Sequence, residues 1–481
     1  MPKSRTVSAA RKPLIVKAAI CTSAAVALVL GNTAGAAADF PREEDERGTT
    51  ALIDPADFPQ PGTGQEEGHE AASGRGEPEA SADGSAVAEG AGSDRYDRQA
   101  VDTEDAESAE DPSGVTVEKS AEDIRVGTIR AGMTSSTQEE LLHDLSGGMF
   151  EPARSLAEAA QLNRPDVLLV TGITSDGDEE IAESLRSKYL EVGQNGQEGL
   201  DYPFVYAGPS NSGKESGADL DGDGVVGGPG DAIGYGEHPG QHGMIMFSSV
   251  PIDQDGIRTF QEFLWEDLPG DTGESAEYSD LERSVMRLTS SALWDVPLTI
   301  DAGEGTERTV NIVASSVARP QDPADVDAAR GDDERRMVAD YLAGEAWYLT
   351  DDDGDPAAGT GCDFAYMGEP ATQYELPGSA SEDMGTLLDS PAVQDPEPRA
   401  VTEKPLSARP EPSGETQDDA TRAVEDGTDV RSAFILPSAG MDVGDSGVFW
   451  PADGEYGADL VAPGSGRAMS DRLVWLDMPR G

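Results

Sequence analysis

Four apolar residues in unbroken succession, Val167-Leu168-Leu169-Val170, constrain this chain more than any other stretch. A strand with one wet face alternates, whereas one that is apolar throughout is covered on both sides, as in a sheet flanked by helices. Its surroundings agree. Ile124-Arg125-Val126-Gly127-Thr128-Ile129 alternates like a strand, and the folded part is expected to start near Ile124. Residues 151–162 (EPARSLAEAAQL) carry helix formers at apolar spacing, and Asn163-Arg164-Pro165 stops that helix. Residues 179–189 read as a second helix. Strand, helix, buried strand, helix is the α/β rhythm.

Further along, 243–247 reads as a short buried strand, and 257–268 (IRTFQEFLWEDL) as an amphipathic helix or hairpin that sends Phe260, Phe263, Leu264 and Trp265 into the core. Strands are expected at 294–298, 310–313, 363–367, 433–436, 447–451 and 473–476, and a helix at 333–342. Residues 389–428 are Pro-rich and polar, which predicts a disordered, exposed insertion. No internal repeat is evident.

Composition divides the chain. A formal net charge of −60 with 5% aromatic residues and 56 glycines in 481 residues does not describe one packed core. The excess lies in 39–122, almost wholly Asp, Glu, Gly, Ala, Ser and Pro without apolar periodicity. That stretch buries too little to offset its chain entropy and is expected to be a disordered acidic tail. A chain this acidic repels nucleic acid and anionic membranes at long range, and no Lys/Arg cluster with interleaved aromatics offsets it, so no nucleic-acid partner is expected. Residues 1–38 read as a signal peptide for secretion. Lys3, Arg5, Arg11, Lys12 and Lys17 precede an apolar 18–30, with Ala34-Gly35-Ala36 or Ala36-Ala37-Ala38 as the cleavage site. The apolar run falls short of the ~20 residues of a membrane span. Cleavage leaves Cys362 as the one cysteine, so no internal disulfide is expected. The mature chain is expected to be a monomer without a membrane span.

One loop advertises a ligand. Asp219, Asp221 and Asp223 alternate and are followed by Gly224, the opening of a Ca²⁺ loop: carboxylates at positions 1, 3 and 5 converge on a hard cation and the glycine permits the turn. Position 12 is Gly230 where an acid belongs, and Asp231, one residue late, is the candidate further ligand. A solvated acidic loop is the competing reading.

The string from Gly227 to Ser248 (GGPGDAIGYGEHPGQHGMIMFS), followed by Pro251-Ile252-Asp253, resembles secreted bacterial members of the endonuclease/exonuclease/phosphatase superfamily. So do, in family order, Arg164-Pro165-Asp166-Val167, Tyr202-Pro203-Phe204-Val205, Trp294-Asp295-Val296-Pro297, Leu436-Pro437-Ser438, Gly447-Val448-Phe449-Trp450-Pro451 and Arg472-Leu473-Val474-Trp475. The resemblance covers most of 124–478, within a domain expected at 123–481, and implies a four-layered α/β sandwich that cleaves phosphoesters with a divalent metal. Its chemistry calls for a metal-binding Glu, an Asn ending the first strand, a catalytic His, a G-D-x-N turn, an Asp before the Y-x-L-P strand and a terminal S-D-H. At those positions this chain has Gly172, Arg130, Ser316, Gly368-Glu369-Pro370-Ala371, Ala433 and Ser470-Asp471-Arg472. Landmarks that build the fold remain while those that do chemistry have changed. The resemblance therefore implies a catalytically inactive binding or structural module. The alternative is a metal-dependent phosphoesterase with displaced ligands (Glu369, Asp471, Asp176 or Asp178), which would use Mg²⁺ or Mn²⁺ and needs three or more carboxylates at the sheet's end with a His nearby. His69, His143, His238 and His242 read as surface residues.

Overall fold

β1 (Asp123–Met133) and β2 (Val167–Ile173) run parallel at the centre of a sheet, with Val126 opposite Val167 and Arg130 opposite Thr171. The computed structural model describes residues 119–481 except 178, 276–277, 304, 318–326, 370–383, 402–420, 424–428 and 463–464. The signal-peptide and acidic-tail readings therefore lie outside the described residues. Packing is already present slightly before Ile124: Lys119 pairs with Asp166, and the Glu122 carbonyl accepts from the Arg480 amide at 2.9 Å. As expected, every residue of β2 is buried.

Between β1 and β2 come α1 (Gln138–Ser146), capped by the Thr137 hydroxyl on the Glu140 amide, and α2 (Glu151–Asn163), which ends where Arg164 turns left-handed before Pro165. α3 (Glu179–Leu185) continues through one π-helical turn, Arg186–Leu190. Next are β3 (Phe204–Tyr206), β4 (Gly243–Ser248), β5 (Arg258–Thr259), α4 (Asp280–Val285), β6 (Ala292–Asp301), β7 (Glu307–Ser316), α5 (Asp327–Ala343) and β8 (Phe364–Glu369). The chain closes with α6 (Gly385–Leu388), β9 (Ala400–Val401), β10 (Arg422–Ala423), β11 (Asp429–Val430), β12 (Phe434–Pro437), β13 (Ser446–Phe449) and β14 (Val474–Pro479).

Among the described residues the strands form a seven-stranded sheet, in the order β3-β4-β2-β1-β14-β13-β9, and a five-stranded sheet, β12-β8-β7-β6-β5; β10 and β11 pair separately. Strand alternation shows how the sheets stack. Ala365 and Met367 of β8 and Ile435 of β12 join one core with β1, β2 and the residues of α1–α3. Their neighbours Phe364, Tyr366, Phe434 and Leu436 face a second core with Met337, Tyr341 and Leu342 of α5. The layers are helix, sheet, sheet, helix: the four-layered α/β sandwich expected.

Two expectations need correction. Residues 257–268 are neither helix nor hairpin. After the two residues of β5 the segment is irregular until a 3₁₀ turn at Trp265–Asp267. Asp352 takes the place of a helical ladder, accepting from the Gln261 amide at 2.9 Å and the Glu262 amide at 2.8 Å. Phe260, Phe263 and Trp265 are buried in the second core as expected, and Leu264 is half-buried. Residues 393–401 are also packed against the fold rather than forming an exposed insertion. Val393 is buried, Gln394 donates to the Ser438 and Met441 carbonyls, Arg431 clamps Asp395, and β9 joins the larger sheet. Of the expected insertion, 402–420 and 424–428 lie outside the described residues, while Thr421 is fully buried.

One polar island interrupts the second core. Asp295, 1% exposed, accepts from Asn311 Nδ2 at 2.7 Å and from the Tyr341 hydroxyl of α5. Burial pushes the Asp295 carboxyl up from 3.8 to about 6 despite those two donors and nearby Arg258.

Candidate functional site

Two parallel pairs, β1–β2 and β7–β8, end at the same place, and one ion pair ties them together. Arg130 on β1 reaches Glu369, the last residue of β8, with Nη1 3.0 Å from Oε2. The Glu369 side chain is 2% exposed and that of Arg130 14%. Ser316 ends β7 opposite Glu369 and is buried. Register between β1 and β2 shifts just beyond the Arg130–Thr171 pair, and Gly172 takes φ +59° in that irregularity. A Cβ on Gly172 would stand 2.9 Å from Arg130 Cγ, 3.0 Å from Cζ and 3.1 Å from Nη1. The arginine thus lies across the position where the resemblance calls for a metal-binding side chain, and a Cβ there would oblige it to shift.

The other positions that the resemblance singles out have the following partners among the described residues. Asp471, 2% exposed, accepts from the Ser470 hydroxyl at 2.5 Å. Next to it, the Arg472 guanidinium stacks 3.4 Å from the centre of the Trp450 ring. Ala433 is buried and its amide donates to the Thr421 hydroxyl at 3.0 Å. The Thr421 carbonyl accepts from the Arg472 amide at 2.7 Å, so Thr421 joins the β12 entry to the β14 entry. Asp176 serves a neighbouring loop, receiving the Ser210 amide at 3.1 Å with Lys214 Nζ at 3.5 Å. Asp178, Pro370 and Ala371 lie outside the described residues.

Two of the histidines stand near these strand ends: His242 precedes β4, whose Gly243 pairs with Ile173 at the end of β2, and His238 reaches the segment just past β1. His143 closes α1 and is exposed. His238 places Nε2 2.9 Å from the Ser135 carbonyl, and His242 is held through its backbone, its carbonyl accepting from Ser210 and Ser291 hydroxyls. His69 is outside the described residues.

Among the described residues the only group of three metal-capable side chains is Asp219, Asp221 and Asp223, whose ligand atoms lie within 4.8 Å of one another. Each also turns the loop: Asp219 Oδ2 accepts from the Gly224 amide at 2.9 Å, Asp221 Oδ1 from Asp223 at 3.1 Å, and Asp223 Oδ1 from Val225 at 2.7 Å. Asp219 Oδ1 is shielded from solvent and has no hydrogen-bond partner among the described residues. Asp231 stands apart from that trio. It is buried and accepts from the Leu220 amide at 2.6 Å and the Gly227 amide at 2.7 Å, which closes the loop from beneath.

The loop is mounted on the strand ends. The Asn211 side chain donates to the Gln261 and Thr289 carbonyls, the Gly240 carbonyl accepts from the Ser175 amide, and Arg330 of α5 donates to the Ile233 carbonyl at 2.6 Å. Backbone meets backbone here: a Cβ on Gly234 would fall 1.6 Å from the Ser290 carbonyl oxygen. Asn211, Arg330 and Thr421 carried no motif, so sequence reasoning missed them. The Gly-rich run was the legible sign that something packs this closely.

No family model and no curated protein sequence matches the chain. Among solved structures it is similar in fold to an endonuclease/exonuclease/phosphatase from Beutenbergia cavernae, at 14% identity over 74% of this chain and 71% of that one, with a TM-score of 0.37. Sphingomyelinase C from Streptomyces griseocarneus aligns at 14% identity over 74% and 99%, TM-score 0.36. An endonuclease/exonuclease/phosphatase from Bacteroides vulgatus aligns at 10% identity over 74% and 98%, TM-score 0.37.

Proposed function

We propose that this is an exported protein of the endonuclease/exonuclease/phosphatase fold that has lost hydrolytic chemistry and serves as a binding or structural module. The observation that carries the reading is the Arg130 guanidinium lying over Gly172 and paired with the buried Glu369. Phosphoester hydrolysis by a metal site needs carboxylates to hold a divalent ion and a base to orient water. The described residues at the strand ends do not fit such an ion. Glu369 is engaged by a cation already, Gly172 brings no ligand, and Ser316 has no imidazole to give. A guanidinium that close would also repel Mg²⁺ or Mn²⁺.

Binding capacity moves instead to the mounted loop, where Asp219, Asp221 and Asp223 fit a Ca²⁺ ion. Three carboxylates offer hard oxygens, and the shielded Asp219 Oδ1 lacks the donor a buried acceptor normally has. The ion would hold the loop's shape; no chemistry is asked of it.

Purified protein assayed with a generic phosphodiester and a phosphomonoester, with Mg²⁺, Mn²⁺ or Ca²⁺ added in turn, should give no turnover above background. Metal-dependent turnover that disappears in Glu369→Gln or Asp471→Asn would show a rebuilt site and overturn the reading.

A further inference from the structure

We infer that the Arg130 guanidinium is the resident cation of a cation-binding position formed where the ends of β1, β2 and β8 meet. This rests on reading the strand ends as non-hydrolytic and goes on to say what holds them together. Glu369 is 2% exposed, and a buried carboxylate without an opposite charge is costly. The charge arrives on the planar head of Arg130, laid against β2 at the one residue that leaves room for it. Backbone conformation alone does not account for Gly172. The left-handed region also admits Asn and Asp, but a Cβ at 172 would meet Arg130 Cγ, Cζ and Nη1 at 2.9 to 3.1 Å, so the arginine side chain would have to shift from its place against β2. Gly172 and Arg130 are therefore two halves of one feature, a slot in β2 and the cation that fills it.

The slot should accept its ligand from solution once the side chain is removed. Arg130→Ala is expected to melt several degrees below the wild type, and low-millimolar methylguanidinium should raise its melting temperature while leaving the wild type unchanged. Mg²⁺ raising the variant but not the wild type would support the inference in the same way. Arg130→Ala/Glu369→Gln should show neither rise. Absence of any rise in Arg130→Ala, or an equal rise in the double variant, would overturn the inference. If Arg130→Ala does not fold, Arg130→Lys and Arg130→Met separate charge from volume. Lys should retain more of the melting temperature than Met, and the reverse order would equally overturn it. These melts are independent of turnover: a hydrolytic wild type would sink the non-hydrolytic reading and leave the rescue result to decide this one.

Discussion

Replacing Asp295 by Asn tests whether the polar island under α5 is held at the cost of stability. Burial raises the Asp295 carboxyl from 3.8 to about 6, a difference of about two units. At about 1.4 kcal/mol per unit, ionised Asp295 costs the folded state on the order of 3 kcal/mol. The sign follows from linkage: the folded-state value lies above the unfolded one, so this stability is fully present below about pH 4. It is lost as pH rises through about 6, and the loss is complete above that. Asn removes the charge and keeps the shape. Asn311 makes the exchange feasible, because its Oδ1 has no partner among the described residues. Turning the Asn311 amide over would let that oxygen accept from the amide introduced at position 295. We expect Asp295→Asn to gain roughly 1–3 kcal/mol at pH 8, or roughly 2–10 °C in melting temperature for a domain of this size, and nothing at pH 4. Melting curves of both proteins from pH 4 to 8 supply the difference. A difference flat across that range, or a variant less stable at pH 8, would refute the reasoning.

Other outcomes follow from the same structure. Glu334, on α5 against Ser290 and pushed by burial to about 7, gives a second acid-side gain of the same sign, so Glu334→Gln should flatten the wild-type loss between about pH 4.5 and 7. Gly234→Ala drives a Cβ into the Ser290 carbonyl and should cost about 2–4 kcal/mol in chemical denaturation, with an unchanged midpoint counting against the mounted-loop account. Calorimetry should find Ca²⁺ binding near the ~10⁻⁴–10⁻³ M of extracellular modules, and equal heat from Asp221→Ala/Asp223→Ala would refute the site. Secreted material should begin at Ala37 or Asp39, and recovery of Met1 would contradict export.

Most of the sandwich was legible because its strands obey simple periods. Val167–Val170 announced an interior strand by lacking polar positions, and Ala433–Leu436 and Leu473–Leu476 by their apolar runs. The segment 257–268 was misread because its aromatic spacing suits a helix, while the hydrogen bonds that shape it come from Asp352, some ninety residues away. Residues 389–401 were misread for a related reason: composition looks like linker, but Asp395 is fixed by Arg431 and Gln394 by two carbonyls of the turn after β12. At the strand ends the residues that depart from the resemblance were visible one by one. What sequence could not show is that two of them, Arg130 and Gly172, fit each other, since that is a fact of Cβ space across neighbouring strands. Asp231 had the right type and nearly the right spacing for a ligand; what sequence did not show is that its carboxylate also accepts from the backbone amides of Leu220 and Gly227.

The most direct test of the proposed loss of hydrolytic chemistry is metal occupancy at the strand ends. Crystals of the protein soaked in Mn²⁺ should show no anomalous density within bonding distance of Glu369 or Asp471, with Arg130 still across Gly172. A Mn²⁺ ion bound to Glu369, with the arginine turned away, would contradict the account.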